Sequence, residues 1–266
     1  MDFKEISILV DPHKVDPEAL EKAESTLVKK IALMTPEAYE DRGTAYYYLI
    51  RIRLSRSTPL DDEKLVSFLD EMTKNFQEHE KIMKKSLKDK KDLLPSRVKE
   101  LQLGAFYKLV ESRLLKIEEE FDQKGFFDRL TQTYQEKMLF RQHRFFFQKK
   151  YGRWFLYWLW KTTSRYGESF AHWGLTNLVV VFGFAILFYF IGQYFSSPSH
   201  EMIRIGGEVR PAGVFNYFYY SVVTFTTLGY GDITPISLLE KVVGSLEVMI
   251  GYVMLGVFLT ILHKRL

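Results

Sequence analysis

The chain has 266 residues, 47% of them apolar and 26% charged, with a formal net charge of +4. It has no cysteine, which excludes disulfides, zinc–thiolate sites and thiol nucleophiles. Charges crowd the first 165 residues and nearly vanish afterwards, the pattern of a polar part joined to a membrane part rather than of two soluble domains.

The opening Met-Asp-Phe-Lys-Glu-Ile lacks a basic region followed by an apolar core, so no cleaved signal is expected. The short apolar run Ile6 to Val10 predicts a strand or an ordered arm. Asp16-Pro17-Glu18 then opens a helix reaching about Met34. Asp caps it, Pro fits its first turn, and Glu favours the positive end of the dipole. Thr35-Pro36-Glu37 repeats the device and predicts a second helix to about Arg56. A third starts at Leu60-Asp61-Asp62-Glu63 and runs to about Leu94, and a fourth opens at Pro95 and stops at Gly125 as a left-handed cap. Within the fourth, Leu103, Phe106, Tyr107, Val110 and Leu114 share one face of a 3.6-residue period. Phe126 to about Gln148 supplies a fifth helix, antiparallel to the fourth.

An ordinary helical bundle is therefore expected for residues 1–148; without a 34-residue repeat, a solenoid is the lesser reading. Tyr46-Tyr47-Tyr48 and Phe145-Phe146-Phe147 read as packing or subunit contacts. The lysine-rich run Lys84 to Lys91 reads as a solvated face; its interleaved aspartates and lack of aromatics argue against a nucleic-acid groove. The six histidines show no metal-ligand spacing, and no catalytic constellation is present, so neither an enzyme nor a cofactor is expected.

From Lys149 the composition changes. Trp154, Trp158, Trp160 and Trp173 fall beside Lys149, Lys150, Arg153, Lys161 and Arg165, with no acid until Glu168. Aromatic rings mixed with cations suit a headgroup layer, so residues 149–174 are expected to be an interfacial segment with a helix over Gly152–Tyr166. Leu175–Phe195 follows, 21 almost wholly apolar residues, or ~31 Å of helix, enough to cross the hydrocarbon core. Val242–Leu262 is a second such span with one charge, Glu247. Between them, the apolar stretch Ala212–Phe225 is too short to cross, at ~21 Å. The glycine-rich strand after it exposes its backbone, which lipid does not tolerate. A re-entrant helix followed by an extended segment satisfies both constraints. Basic residues before the first span and after the second place both termini in the cytoplasm and residues 196–240 outside.

That extended segment is Thr226-Thr227-Leu228-Gly229-Tyr230-Gly231-Asp232. Gly229 and Gly231 readily take positive φ, which can turn successive carbonyls to one side of the chain. The seven residues, set between two spans, resemble the selectivity-filter signature of potassium channels of the two-transmembrane prokaryotic type, over roughly Leu175 to Lys264. The resemblance implies an all-α membrane protein: two transmembrane helices, a re-entrant pore helix and filter, here with an N-terminal cytoplasmic helical domain. Its parts are 1–148, 149–174 and the pore domain 175–264, in the cell inner membrane as a homotetramer. Filter geometry also requires fourfold closure, because one pore loop supplies a quarter of a ring.

By the same resemblance, K⁺ is bound by the carbonyls of Thr227, Leu228, Gly229 and Tyr230 and by the Thr227 hydroxyl, with Gly231 completing the filter. Thr226 stands at the junction with the cavity, and the Tyr230 ring packs outward. Asp232 accepts a hydrogen bond from Tyr220. Leu228 stands where relatives carry valine, and Val223 where some carry a glutamate behind the filter. Gly251 lies where many relatives bend and Gly256 is a second candidate hinge, with close helix contact the equal alternative for these glycines, and Tyr252, Leu255 and Leu259 line the cavity or inner gate. A carboxylate inside an apolar span is costly and functional by default, so Glu247 is expected to hydrogen-bond behind the filter and support it. No arginine-rich voltage sensor precedes the first span, and no sensing domain is expected after Arg265. No cofactor beyond the permeant ion is implied, and the regulator of the N-terminal domain is unassigned. The rival readings are a weakly selective cation channel and a membrane-anchored scaffold whose helical domain binds a protein.

Overall fold

The computed structural model describes residues 3–10, 16–56, 62–89, 94–194, 203–205, 208–210 and 213–265. The chain divides into two compact units, Met1–Phe155 and Leu156–Leu266.

The first unit is built from α1 (Phe3–Leu9), α2 (Pro17–Leu33), α3 (Tyr39–Ser55), α4 (Asp62–Lys88), α5 (Ser96–Lys124) and α6 (Phe127–Phe147). The expected strand or arm at Ile6–Val10 is instead the end of a helix, because Ile6 and Val10, one turn apart, bury together. Asp16 caps α2 as expected, accepting the Glu18 N–H at 3.1 Å. Thr35-Pro36-Glu37 does not cap α3. Those residues form the turn between the helices, with the Ala38 N–H bonded to the Thr35 carbonyl, and α3 starts at Tyr39 without a side-chain cap. The α4 helix ends at Lys88 rather than near Leu94; Leu60, Asp61, Lys90 and Lys91 lie outside the described residues. Gly125 closes α5 at φ 77° as expected, and the predicted face Leu103, Phe106, Tyr107, Val110 and Leu114 is buried throughout.

Helix α3 buries residues on more than one face, from Gly43 to Leu54, and so stands between two cores. Its Tyr47, Ile50 and Leu54 join one core with α4, α5 and α6, while its Ala45, Leu49 and Ile52 join a second with α1 and α2. Gly43 lets α4 approach: a Cβ there would stand 2.5 Å from the ring of fully buried Phe76. A ring with no free space cannot yield, so Gly43→Ala is expected to destabilise this unit by about 1–3 kcal/mol despite alanine's better helix propensity. Calorimetry of the full chain checks it, read as a lower midpoint for the transition of this unit.

Glu80, on α4, is a buried acid with three donors. It accepts from the Tyr107 hydroxyl at 2.6 Å, Lys84 at 2.7 Å and His143 Nδ1 at 2.9 Å. Burial pushes its carboxyl up, but the hydrogen bonds and the His143 charge outweigh burial and hold it down at about 2. A depressed carboxyl stabilises the fold above its unfolded value and loses that contribution as pH falls towards the folded value. The contribution, on the order of 3 kcal/mol, is therefore present above about pH 4.5 and fades towards pH 2. The stability gap between the wild type and Glu80→Gln, followed by denaturant titration, is expected to close over that interval.

The second unit contains most of α7 (Tyr151–Ser164), then α8 (Phe170–Tyr194), α9 (Val214–Phe225) and α10 (Leu238–Arg265). Phe170–Tyr194 and Leu238–His263, with mean hydropathies of 2.2 and 2.0, are long and apolar enough to cross a membrane. The start of α10 is fixed by a capping box. Glu240 accepts from the Ile236 and Ser237 N–H groups at 3.1 Å, and Ser237 Oγ accepts from the Glu240 N–H at 3.2 Å. A short antiparallel sheet, ordered β2-β1-β3, was not expected from the sequence: β1 (Ile203–Ile205) pairs with β2 (Glu208–Arg210) and β3 (Ile233–Pro235). It ties the strand leaving Asp232 to the segment before α9 in an otherwise helical unit.

Between α7 and α8 the chain turns through three successive left-handed residues, Arg165, Tyr166 and Gly167, at φ 49°, 62° and 82°. The buried Ser164 carbonyl accepts N–H groups from Gly167, Glu168 and Ser169, which holds this corner in place.

Candidate functional site

Helix α9 packs between α8 and α10 and ends at Phe225, where an extended segment leaves its C-terminus. Three residues of that segment have positive φ: Thr227 at 61°, Gly229 at 54° and Gly231 at 77°. The glycines were expected there; the β-branched Thr227 was not, and a strained torsion of this kind persists only where its surroundings fix it. The last carbonyls of a helix lack partners within it, and here they take the following N–H groups. Thr227 N–H reaches the Thr224 carbonyl at 3.0 Å, while Leu228 and Gly229 reach the Val223 carbonyl at 3.0 and 3.5 Å.

A directional consequence follows from peptide planarity. In a trans peptide the C=O of one residue points opposite to the N–H of the next. The N–H groups of Thr227, Leu228 and Gly229 all turn back to α9, so the carbonyls of Thr226, Thr227 and Leu228 all turn away from it. Three successive oxygens thus share one side of the chain, whereas a regular strand would alternate them. The segment Thr226–Asp232 is exposed on the single chain, with Leu228 and Tyr230 at 57% and 67%.

Asp232 accepts a hydrogen bond from an α9 tyrosine, but the donor is Tyr219, at 2.8 Å, rather than Tyr220. Neighbouring residues on a helix point about 100° apart, and only one of the two can face the segment. Tyr220 points the other way, buried edge-to-face on Phe188 with its hydroxyl against Gly244. The YY pair was visible in the sequence; deciding between its members required the placement of α8.

Behind the segment, Glu247 is wholly buried and bonded to the Ser221 hydroxyl on α9, and Ser221 also donates to the Val181 carbonyl on α8 at 2.8 Å. One serine thereby links the three helices. Its role was not expected from the sequence, though a serine within the apolar run Val214–Phe225 is the signal that marks it. Val223 is buried, and its backbone carbonyl anchors the segment.

On α10, Gly251 is a close-approach glycine: a Cβ there would lie 2.1 Å from the Phe225 carbonyl oxygen at the end of α9. Gly256 differs, for a Cβ there meets nothing within 4 Å. Tyr252, Leu255 and Leu259, at i, i+3 and i+7, are exposed along one stripe of the helix. Trp173 Nε1 donates to the Met254 carbonyl at 2.9 Å and its ring rests on Phe258, fixing α8 to α10 between the two glycines. An apolar pocket of about 430 Å³ opens beside Thr226 and Thr227, bounded also by Gly251 and Leu255. Among the described residues, no group of three or more His, Cys, Asp or Glu side chains is placed to hold a metal ion.

Comparison with known proteins finds similarities over this region. Residues 176–266 match the family described as ion channel. The potassium voltage-gated channel subfamily A member 5 of Mustela putorius furo is 39% identical over 70 residues, which are 26% of this chain and 12% of that protein. The match thus covers a small fraction of the relative's length. No solved structure matches the chain.

Proposed function

We propose that this chain is a homotetrameric potassium-selective channel, a reading supported by the match of residues 176–266 to the family described as ion channel and by two helices long and apolar enough to cross a membrane. In this reading K⁺ passes through rings of carbonyl oxygens from Thr227, Leu228, Gly229 and Tyr230, with the Thr227 hydroxyl at the inner end and Gly231 completing the path. The observation that carries it is the common direction of the Thr226, Thr227 and Leu228 carbonyls, set by the return of the next N–H groups to α9. Oxygens on one side of a chain, repeated by fourfold closure, replace the hydration shell of a monovalent cation.

The remaining residues take supporting roles. Tyr219 and Asp232 brace the outer end of the filter, and Ser221 and Glu247 brace its back. Tyr252, Leu255 and Leu259 line the inner cavity, with Gly256 as the point of flexure and Gly251 as the seat of the pore helix. The termini are cytoplasmic, residues 149–174 lie along the inner face of the cell membrane, and residues 1–148 regulate the pore. The bi-ionic K⁺/Na⁺ reversal potential of the purified full chain in a planar bilayer tests the proposal. A large displacement towards the potassium potential is expected. Current without that displacement would favour a weakly selective cation channel, and no current, with or without residues 1–148, would favour a membrane-anchored scaffold. Gly229→Ala, which forces a side chain onto a positive-φ position, is expected to abolish selective flux.

A further inference from the structure

In the first unit, α4 and α5 run side by side in opposite directions: Lys99 reaches the Ser86 carbonyl, while the Phe106 ring lies 4.9 Å from the imidazole of His79. The stretch from His79 to Ser86 on one helix and from Lys99 to Phe106 on the other flank a groove of about 610 Å³. The small side chain of Ala105 is exposed on its wall and leaves it open.

Between its ends the groove is apolar, lined by Met83, Phe106 and Leu109, with Ile82 exposed along its edge. The two ends carry opposite charges, and both charged groups are lining residues. At one end Glu40, from the first turn of α3, meets His79 Nε2 at 3.4 Å and stays exposed. At the other, the buried Lys99 donates to the Ser86 and Asp89 carbonyls at 2.9 and 3.4 Å, which fixes its ammonium in place. A helix rises ~1.5 Å per residue, so the run from His79 to Ser86 sets the two charges on the order of 10 Å apart.

We propose that this groove binds an elongated zwitterion, an ω-amino acid whose ammonium meets Glu40, whose carboxylate meets Lys99, and whose hydrocarbon spacer lies on Met83 and Phe106. A dication or a dianion of the same length would meet a like charge at one end. A peptide of that length would lay amide groups on Met83, Phe106 and Leu109, which offer them no hydrogen-bond partner, so a hydrocarbon spacer is favoured. The ligand joins α3, α4 and α5 and is the effector of the unit whose regulatory role is proposed above. Its binding depends neither on that role nor on ion conduction.

Isothermal titration of the full-length protein with ω-aminooctanoate tests the site, beside suberate and octanediamine, which match its length but carry like charges at both ends. The zwitterion is expected to saturate and to bind about fivefold more tightly than either, the effect of one partly exposed ion pair. The shorter ω-aminobutyrate, which cannot span the groove, is expected to lose the same advantage. Glu40→Gln is expected to erase the preference over suberate and Glu40→Lys to reverse it, with the unfolding midpoint of this unit as the check on folding. Ala105→Phe, at an exposed position on the wall, is expected to abolish saturable binding of every probe. No saturable binding by the wild type, equal binding of the three long probes, or a preference that survives Glu40→Lys would each overturn the proposal. Because no ion flux is read, a silent pore with a zwitterion-selective groove would sink the channel reading alone. A conducting chain that binds none of the probes would sink only this one.

Discussion

Gly251→Ala is expected to abolish potassium flux while the first unit stays folded. Two effects oppose each other at this position. Alanine improves helix propensity by about 1 kcal/mol, but its Cβ would lie 2.1 Å from the Phe225 carbonyl oxygen. That oxygen belongs to backbone at the end of α9 and has no rotamer by which to retreat. Relief demands that α9 and α10 separate by more than an ångström, against packing with a typical overpacking cost of about 1–3 kcal/mol. Sterics win, and the displaced element is the one whose Thr224 and Val223 carbonyls hold the N–H groups of Thr227, Leu228 and Gly229. A shift there misdirects the carbonyl row. Gly183→Ala, on α8 where a Cβ meets nothing within 4 Å, serves as the matched control and is expected to conduct as the wild type does. Flux of vesicle-reconstituted protein decides. Wild-type conduction by Gly251→Ala would show that α9 and α10 do not meet at this distance in the working channel.

The second large effect is expected at Glu247 and Ser221, and the informative quantity is their coupling. Ser221 links α9 to the Val181 carbonyl of α8 and to Glu247 of α10, all within a buried, apolar surround. Ser221→Ala leaves the buried Glu247 without its hydrogen-bond partner, at about 1–3 kcal/mol, while Glu247→Leu frees α10 from the link and leaves the serine only the Val181 carbonyl. Ser221→Ala and Glu247→Leu are therefore each expected to change single-channel open probability severalfold, with Glu247→Gln milder because an amide still bonds to the serine. The double variant Ser221→Ala/Glu247→Leu is expected to be no worse than the poorer single variant, a non-additivity of about 1–3 kcal/mol. Strictly additive effects, or an unchanged open probability and selectivity in Glu247→Gln and both single variants, would remove Glu247 from the support of the filter.

What the sequence disclosed depended on how local the physics was. Gly125 as a left-handed terminator, Asp16 as a cap and the buried face from Leu103 to Leu114 each follow from a few neighbouring residues, and each stands in the structure. The two apolar spans were legible for the same reason, being long and nearly free of charge. Thr35-Pro36-Glu37 misled because a capping pattern is also a turn pattern, and the local hydrogen bonds chose the turn. The choice of Tyr219 over Tyr220 was not legible, since it depends on which side of α9 meets Phe188 and Gly244. Gly251 carried two readings in sequence, flexure and close approach. Only the position of a carbonyl 26 residues earlier in the chain gives weight to the second. The φ of Thr227 had no sequence signal at all, because threonine ordinarily resists it.

The position of α3 between two cores bears on how the first unit comes apart. Tyr46, Tyr48 and Phe68 pack against both clusters, and α3 contributes buried residues to each. Neither cluster can melt while the other keeps α3 in place with its neighbours packed, so the two behave as one cooperative block rather than as separate foldons. Amide hydrogens in α2 and in α5, which share no cluster, are then released to solvent through one common opening, with matching protection along both helices.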